Sequence, residues 1–117
     1  MLNLPFLRRC IDEGMRLHST SAIGLPRIVT SASGVWFDDT HFPAGTVLSV
    51  PSYTVHHDAT ICGSDVTSFN PDRFLPENLT GRQKMGFNPF SYGPRACAGQ
   101  NVALTELSLI LGTLFRR

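Results

Sequence analysis

Residues 60–94 contain eight glycines and prolines, among them Gly63, Pro71, Gly81, Pro89, Gly93 and Pro94, and an almost wholly apolar stretch from Val102 to Phe115 follows closely. That punctuation rate keeps regular structure from persisting across the loop. A connection so long is uncommon in a closed domain unless it serves a purpose. Beyond Gly99, the residues Ala103, Leu107, Ile110, Leu111 and Leu114 form one helical stripe, which Leu104, Leu109 and Phe115 widen. A helix apolar over so much of its circumference needs cover on more than one side. One short helix and a few strands are too little to supply it, so the sequence predicts an incomplete domain.

Upstream of the loop, Leu7, Cys10, Ile11 and Met15 recur at helical spacing within residues 4–18, with Pro5 tolerated in a first turn. This predicts a helix of about four turns. Residues 27–30, 35–37 and 46–50 are short β-prone runs separated by Gly34, by Asp38 and Asp39, and by Pro43 to Gly45. Residues 53–58 can carry a short helix. The expected fold class is mixed α and β: a helix, small β-strands, a long irregular loop, a cysteine loop and a buried C-terminal helix. There is no internal repeat, and 117 residues make at most one domain.

Charged residues make up 16% of the chain, below the roughly 25% of an average soluble domain, and the formal net charge is +1. This excludes a disordered tail and a polybasic nucleic-acid arm, so no nucleic-acid partner is expected. Cys10, Cys62 and Cys97 are an odd, sparse set without C-x-x-C spacing, for which a reduced compartment is the default. No signal peptide is expected from the first nine residues. No membrane span is expected from residues 102–115, which Thr105, Glu106 and Ser108 interrupt.

The segment Phe90, Ser91, Tyr92, Gly93, Pro94, Arg95, Ala96, Cys97, Ala98, Gly99 carries the sharpest chemistry. Cys97 stands just before a long helix, where unsatisfied N–H groups and the helix dipole favour a thiolate, and Arg95 adds positive charge. Gly93 and Gly99 lack a Cβ and admit a bulky flat group close to the backbone. The bland alternative is a small buried hydrophobe in a turn.

Other chemistries fit less well. A Cys-x5-Arg phosphate loop needs arginine where Ala103 stands, and a P-loop needs Lys-Ser/Thr where Gln100 and Asn101 stand. Zinc through Cys62, Cys97, His56 and His57 stays open as an alternative, although those spacings match no finger or ribbon, and adjacent histidines are usually surface polar residues. A lone thiolate at a helix start is also an axial ligand of haem iron.

The segment resembles the haem-binding signature of the cytochrome P-450 superfamily, the haem-thiolate monooxygenases: Phe90, Gly93, Arg95, Cys97 and Gly99 satisfy each of its positions, and Ala103 its frequent extension. Glu13 and Arg16 are similar to the family's Glu-x-x-Arg pair; on the residues alone they read equally as a solvated ion pair worth a few tenths of a kcal/mol. Pro71, Asp72, Arg73 and Phe74 resemble its Pro-Glu-Arg-Phe segment, with aspartate for glutamate. Residues 42–46 resemble its Pro-x-Gly-Thr turn, and residues 51–58 its His-Arg-Asp segment, with His57 where arginine is common and Ala59 and Thr60 in place of Pro-Glu. The stretch from Phe87 to Cys97 is similar in wording to fungal members.

The resemblance implies that residues 1–117 are the C-terminal part of a cytochrome P-450 domain. It implies haem (iron protoporphyrin IX) as cofactor, with Cys97 as the metal ligand and Phe90, Gly93, Arg95, Gly99 and Arg27 around it, Arg95 and Arg27 toward the propionates. Glu13, Arg16 and Arg73 would form a structural triad pinning the loop. The family inserts one atom of O2 into a small organic substrate with electrons from an NADPH reductase, and full-length members are often anchored to the endoplasmic-reticulum membrane. No residue here resembles a distal proton-delivery group, so no catalytic residue is assigned and the chain alone is expected to be inactive and loosely packed.

Overall fold

The computed structural model describes residues 4–116. Helix α1 (Pro5–Leu17) begins with its proline in the first turn, where the missing N–H costs nothing, and ends as the His18 N–H bonds the Gly14 carbonyl at 2.9 Å. Its apolar residues predict the buried face only in part. Ile11 is buried, but so are Asp12, Glu13 and Arg16, whereas Leu7, Cys10 and Met15 are half-buried.

Two small antiparallel ribbons follow. β1 (Arg27–Ile28) pairs with β4 (Val47–Leu48), and β2 (Val35–Phe37) forms a hairpin with β3 (Thr40–Phe42), Trp36 facing His41. The hairpin turns at Asp38 and Asp39, and Asp38 takes the left-handed conformation with φ 47°. β3 lies outside the β-prone runs expected from the sequence. Val29 extends the first ribbon through bonds to Thr46 and Gly45, and it is buried. Where the chain leaves α1 and passes residue 50, a Cβ on Gly24 would meet the Val50 carbonyl oxygen at 2.3 Å. Only glycine fits that crossing, and its φ of +76° favours it as well.

α2 (Ser52–His56) falls where a short helix is expected, and the stretch beyond it expected to be irregular holds further short helices. α2 leads to α3 (Ala59–Cys62), which Asp58 caps by accepting the Thr60 N–H at 2.7 Å. A 3-10 turn over Pro71–Phe74 is opened by the Asn70 side chain. α4 (Gly81–Gly86) exists between two glycines because Thr80 and Gln83 form a reciprocal capping box. A 3-10 turn at Gly93–Arg95 precedes α5 (Gln100–Leu114).

The apolar interior is small: Ile11, Val29, Cys62 and Leu104 are its buried members among the described residues. α1 packs mainly on the 3-10 turn at Pro71–Phe74 and also touches α5. The chain measures 58 × 31 × 20 Å with a radius of gyration of 16.9 Å, against about 13 Å for a closed domain of this length. It is a slab, and α5 lies on it largely uncovered, with only Leu104 buried and Ile110 63% exposed. The expectation of a buried C-terminal helix therefore fails within this chain, because no second layer covers it. Among the described residues no helix is long and apolar enough to cross a membrane.

Candidate functional site

The structure brings Glu13, Arg16 and Arg73 together in the interior. The Arg16 guanidinium grips Glu13 through two bonds, Nε to Oε2 at 2.7 Å and Nη2 to Oε1 at 2.9 Å, and the Arg73 Nε approaches Oε2 at 3.4 Å. Glu13 is wholly buried. Spacing alone made the first pair an ordinary surface interaction; the fold makes it the deepest point of the chain.

The remaining donors of the two arginines satisfy the loop. Arg16 Nη1 donates to the carbonyls of His56 and Val66, both at 2.8 Å, while Arg73 donates to the carbonyls of Cys62 and Asp65. The Asn70 N–H donates back to Glu13 at 3.0 Å. Buried carbonyls without a ladder need such partners, so two guanidiniums do for residues 56–70 what a sheet does elsewhere.

Asp65, which the sequence did not single out, balances the second positive charge. It accepts from Arg73 Nη1 at 2.9 Å and from Asn70 Nδ2 at 3.1 Å. The Arg73 hydrogen bond, with Asn70 next, holds its carboxyl below the usual range. Asp12 moves the other way: burial raises it, although Arg8 at 2.9 Å pulls against the shift.

Cys97 is exposed, which removes the buried-hydrophobe alternative. Its N–H donates to the Phe90 carbonyl at 2.8 Å, closing the loop, and its own carbonyl accepts from Gln100 at the start of α5 at 3.3 Å. No side chain caps α5, so first-turn amides are left for an acceptor outside the helix. Ser91 (φ 61°) and Gly93 (φ 69°) take left-handed conformations that fold the loop back on itself. The Tyr92 hydroxyl reaches the Phe87 carbonyl at 2.8 Å and the Lys84 carbonyl at 3.1 Å, tying the loop to α4.

A Cβ on Gly99 would stand 3.8 Å from the Cys97 sulfur, and one on Gly93 would meet nothing within 4 Å. An exposed sulfur beside an uncapped helix start, with open space at Gly93, would accommodate a flat iron-bearing group. A cleft of about 370 Å³ lies between α1 and this loop, lined by Phe90 and Gly93 among others but not by Cys97.

Other residues singled out by sequence are dispersed. Arg27 is exposed on β1, its Nη1 bonded to the Pro26 carbonyl, and Arg95 is exposed in the 3-10 turn; neither forms an ion pair among the described residues. The zinc alternative lacks a ligand set: no group of three or more metal-binding side chains occurs among the described residues. Burial pushes the Cys62 thiol up, away from the thiolate a metal would need.

His56, expected at the surface beside His57, is 1% exposed. Its Nδ1 lies 2.6 Å from the Ser19 hydroxyl, its Nε2 accepts the Asn88 N–H at 3.2 Å, and its ring rests near Phe87. The signal available was the i,i+4 pair Ser52 and His56, both buried on one face of α2. His57 instead stacks on the exposed Tyr53 with ring centroids 4.0 Å apart.

A loop hung on a buried Glu/Arg/Arg knot and delivering a cysteine to the start of an apolar helix has the architecture of a partial P450 domain. A family model described as cytochrome P450 matches residues 1–117, and the chain belongs to that family. It is 50% identical over 115 residues to benzoate 4-monooxygenase bphA of Aspergillus niger, covering 97% of this chain and 22% of that protein. It is 36% identical to cytochrome P450 monooxygenase hepC of Aspergillus oryzae over 94% of the chain and 22% of the relative. Against human cytochrome P450 4F8 the identity is 38% over 99% of the chain, again 22% of the relative. The chain thus spans about a fifth of the length of the curated relatives it matches. Haem iron is the cofactor expected of the family.

Proposed function

We propose that residues 1–117 are the haem-holding C-terminal part of a monooxygenase that inserts one atom of O2 into a small organic substrate. The observation that carries this is Cys97, exposed and held just ahead of α5 by its bond to the Phe90 carbonyl. Its sulfur would hold the haem iron, and the uncapped amides of the first turn of α5 would moderate its electron donation. Bound there, haem iron supplies the centre that activates O2, with electrons from an NADPH reductase. Arg95 and Arg27 would pair with the propionates, and Phe90 would pack beside the sulfur and the ring. Gly93 and Gly99 leave room for the macrocycle, and Glu13, Arg16 and Arg73 hold the loop beneath it.

The 50% identity to benzoate 4-monooxygenase bphA makes benzoate the first substrate to try in a protein that contains this part. The chain alone is expected to take up haem without turnover, since its slab shape leaves α5 uncovered and nothing in it resembles a distal proton donor.

The test is addition of haemin and dithionite to the purified chain, followed by the carbon-monoxide difference spectrum. A thiolate-type band present in the chain and lost in Cys97→Ser supports the assignment; an identical band in both defeats it. Sustained NADPH-driven turnover by the chain with a reductase would overturn the expected inactivity.

A further inference from the structure

His56 belongs to no part of the site as described, yet it is one of the three most completely buried large side chains. A buried imidazole must satisfy both ring nitrogens. Here the partners dictate which nitrogen carries the proton. The Asn88 backbone N–H can only donate, so Nε2 at 3.2 Å must offer its lone pair. The proton of the neutral ring then sits on Nδ1 and points to the Ser19 hydroxyl oxygen at 2.6 Å. That hydroxyl donates in turn to the Arg16 carbonyl at 3.3 Å, so the chain of bonds runs in one direction, from the loop to the end of α1.

Asn88 is where the cysteine loop begins. Its carbonyl accepts the Ser91 N–H at 3.0 Å, closing the turn in which Ser91 adopts φ 61°. Phe90, inside that turn, accepts the Cys97 N–H at 2.8 Å. The ring therefore stands a few bonds from the sulfur without touching it.

We propose that His56 is a positioning residue for the cysteine loop, held in the single neutral tautomer with its proton on Nδ1, so that Nε2 fixes the Asn88 N–H and with it the place from which Cys97 is presented. This deepens the haem-thiolate reading and rests on it only for the purpose of the loop.

Long-range proton–nitrogen NMR on the 15N-labelled chain without haem reads the tautomer directly. The expected result is a lone-pair-type nitrogen at Nε2 and an N–H-type nitrogen at Nδ1. The reverse assignment, or an averaged pair of signals, would overturn the proposal.

Two amide variants then separate the ring nitrogens. His56→Gln keeps an acceptor near the Nε2 position, whereas His56→Asn reaches only as far as Nδ1. Asn88 amide exchange should stay as protected in H56Q as in the parent and run about tenfold faster in H56N, the consequence of one lost buried hydrogen bond. Equal exchange in the two variants would overturn the proposal as well. In haem-loaded samples H56Q should retain more of the thiolate-type carbon-monoxide band than H56N. Absence of that band from parent and variants alike would sink the cofactor reading alone, with tautomer and exchange still deciding His56.

Discussion

Around Glu13 the chain buries charge, and along α5 it exposes hydrocarbon. The most completely buried large side chains are Arg16, His56 and Glu13, whereas Leu109, Ile110 and Leu114 of the most apolar helix are more than half exposed. The contrast follows from what each region must satisfy. Residues 56–70 have carbonyls to pair and no ladder to pair them, so two arginines are drawn inside with carboxylates to balance them. α5 satisfies its own backbone from its second turn onward and asks only for apolar cover, which this slab supplies fully at Leu104 and in part at Ala103, Leu107 and Leu111. Polar partners give this part of the fold its shape, and hydrophobic burial is left for surfaces beyond it.

The largest expected effect is on the charged side of that contrast. Glu13→Gln leaves two buried guanidiniums without their shared counter-charge and should cost about 3–5 kcal/mol. Urea denaturation followed by circular dichroism measures it. A loss under about 1 kcal/mol would mean that the knot behaves as a solvated pair after all.

Next comes α5. Leu104→Ala removes its buried anchor and should cost about 2–5 kcal/mol, whereas Leu109→Ala should stay within about 0.5 kcal/mol. Comparable losses at both positions in thermal unfolding would show the outer face of α5 to be covered in solution.

Acid should dissect the polar side further. Burial lowers His56 from its ordinary value of 6.5, so the unfolded chain takes up a proton that the folded ring refuses. Stability is then complete above that value and falls as the pH drops from it toward the lowered one. Asp65, held low by Arg73 and then by Asn70, contributes stability above its ordinary 3.8 that disappears as the pH falls through its lower folded value. Denaturation midpoints across this range should show two successive losses, the first absent in His56→Gln. The smallest effect belongs to α4, which buries no residue: Thr80→Ala should cost about 1 kcal/mol and loosen only its own amides in hydrogen exchange.

Much of this was legible in the chain itself. Helical periodicity marked α1 and α5, and β-prone runs marked β1, β2 and β4. β3 was missed although Asp38 and Asp39 form a two-residue hairpin signal, because Thr40, His41 and Phe42 are too short a run to stand out. The convergence of Glu13, Arg16 and Arg73 was legible only through resemblance: no periodicity links residues about sixty positions apart. α4 was hidden by its flanking glycines, since its existence rests on capping chemistry rather than on composition. Asp65 and His56 did not stand out for a shared reason. Their partners, Arg73 and Asn70 for the one and Ser19 and the Asn88 N–H for the other, are brought in by the fold, and Asp and His residues ordinarily lie on surfaces.

Among the described residues the two ribbons consist of two strands each, so each strand has one edge with no strand beside it. A long open edge is a template for another extended chain, and on the second ribbon Trp36 and Phe37, both about 70% exposed, add an adhesive face. Strands of two or three residues give little backbone to pair with, so copies of this polypeptide at high concentration should meet through the side chains of the second ribbon rather than by extended strand addition. Lysine placed at Trp36 would then do more for their solubility than any trimming of the greasy helix.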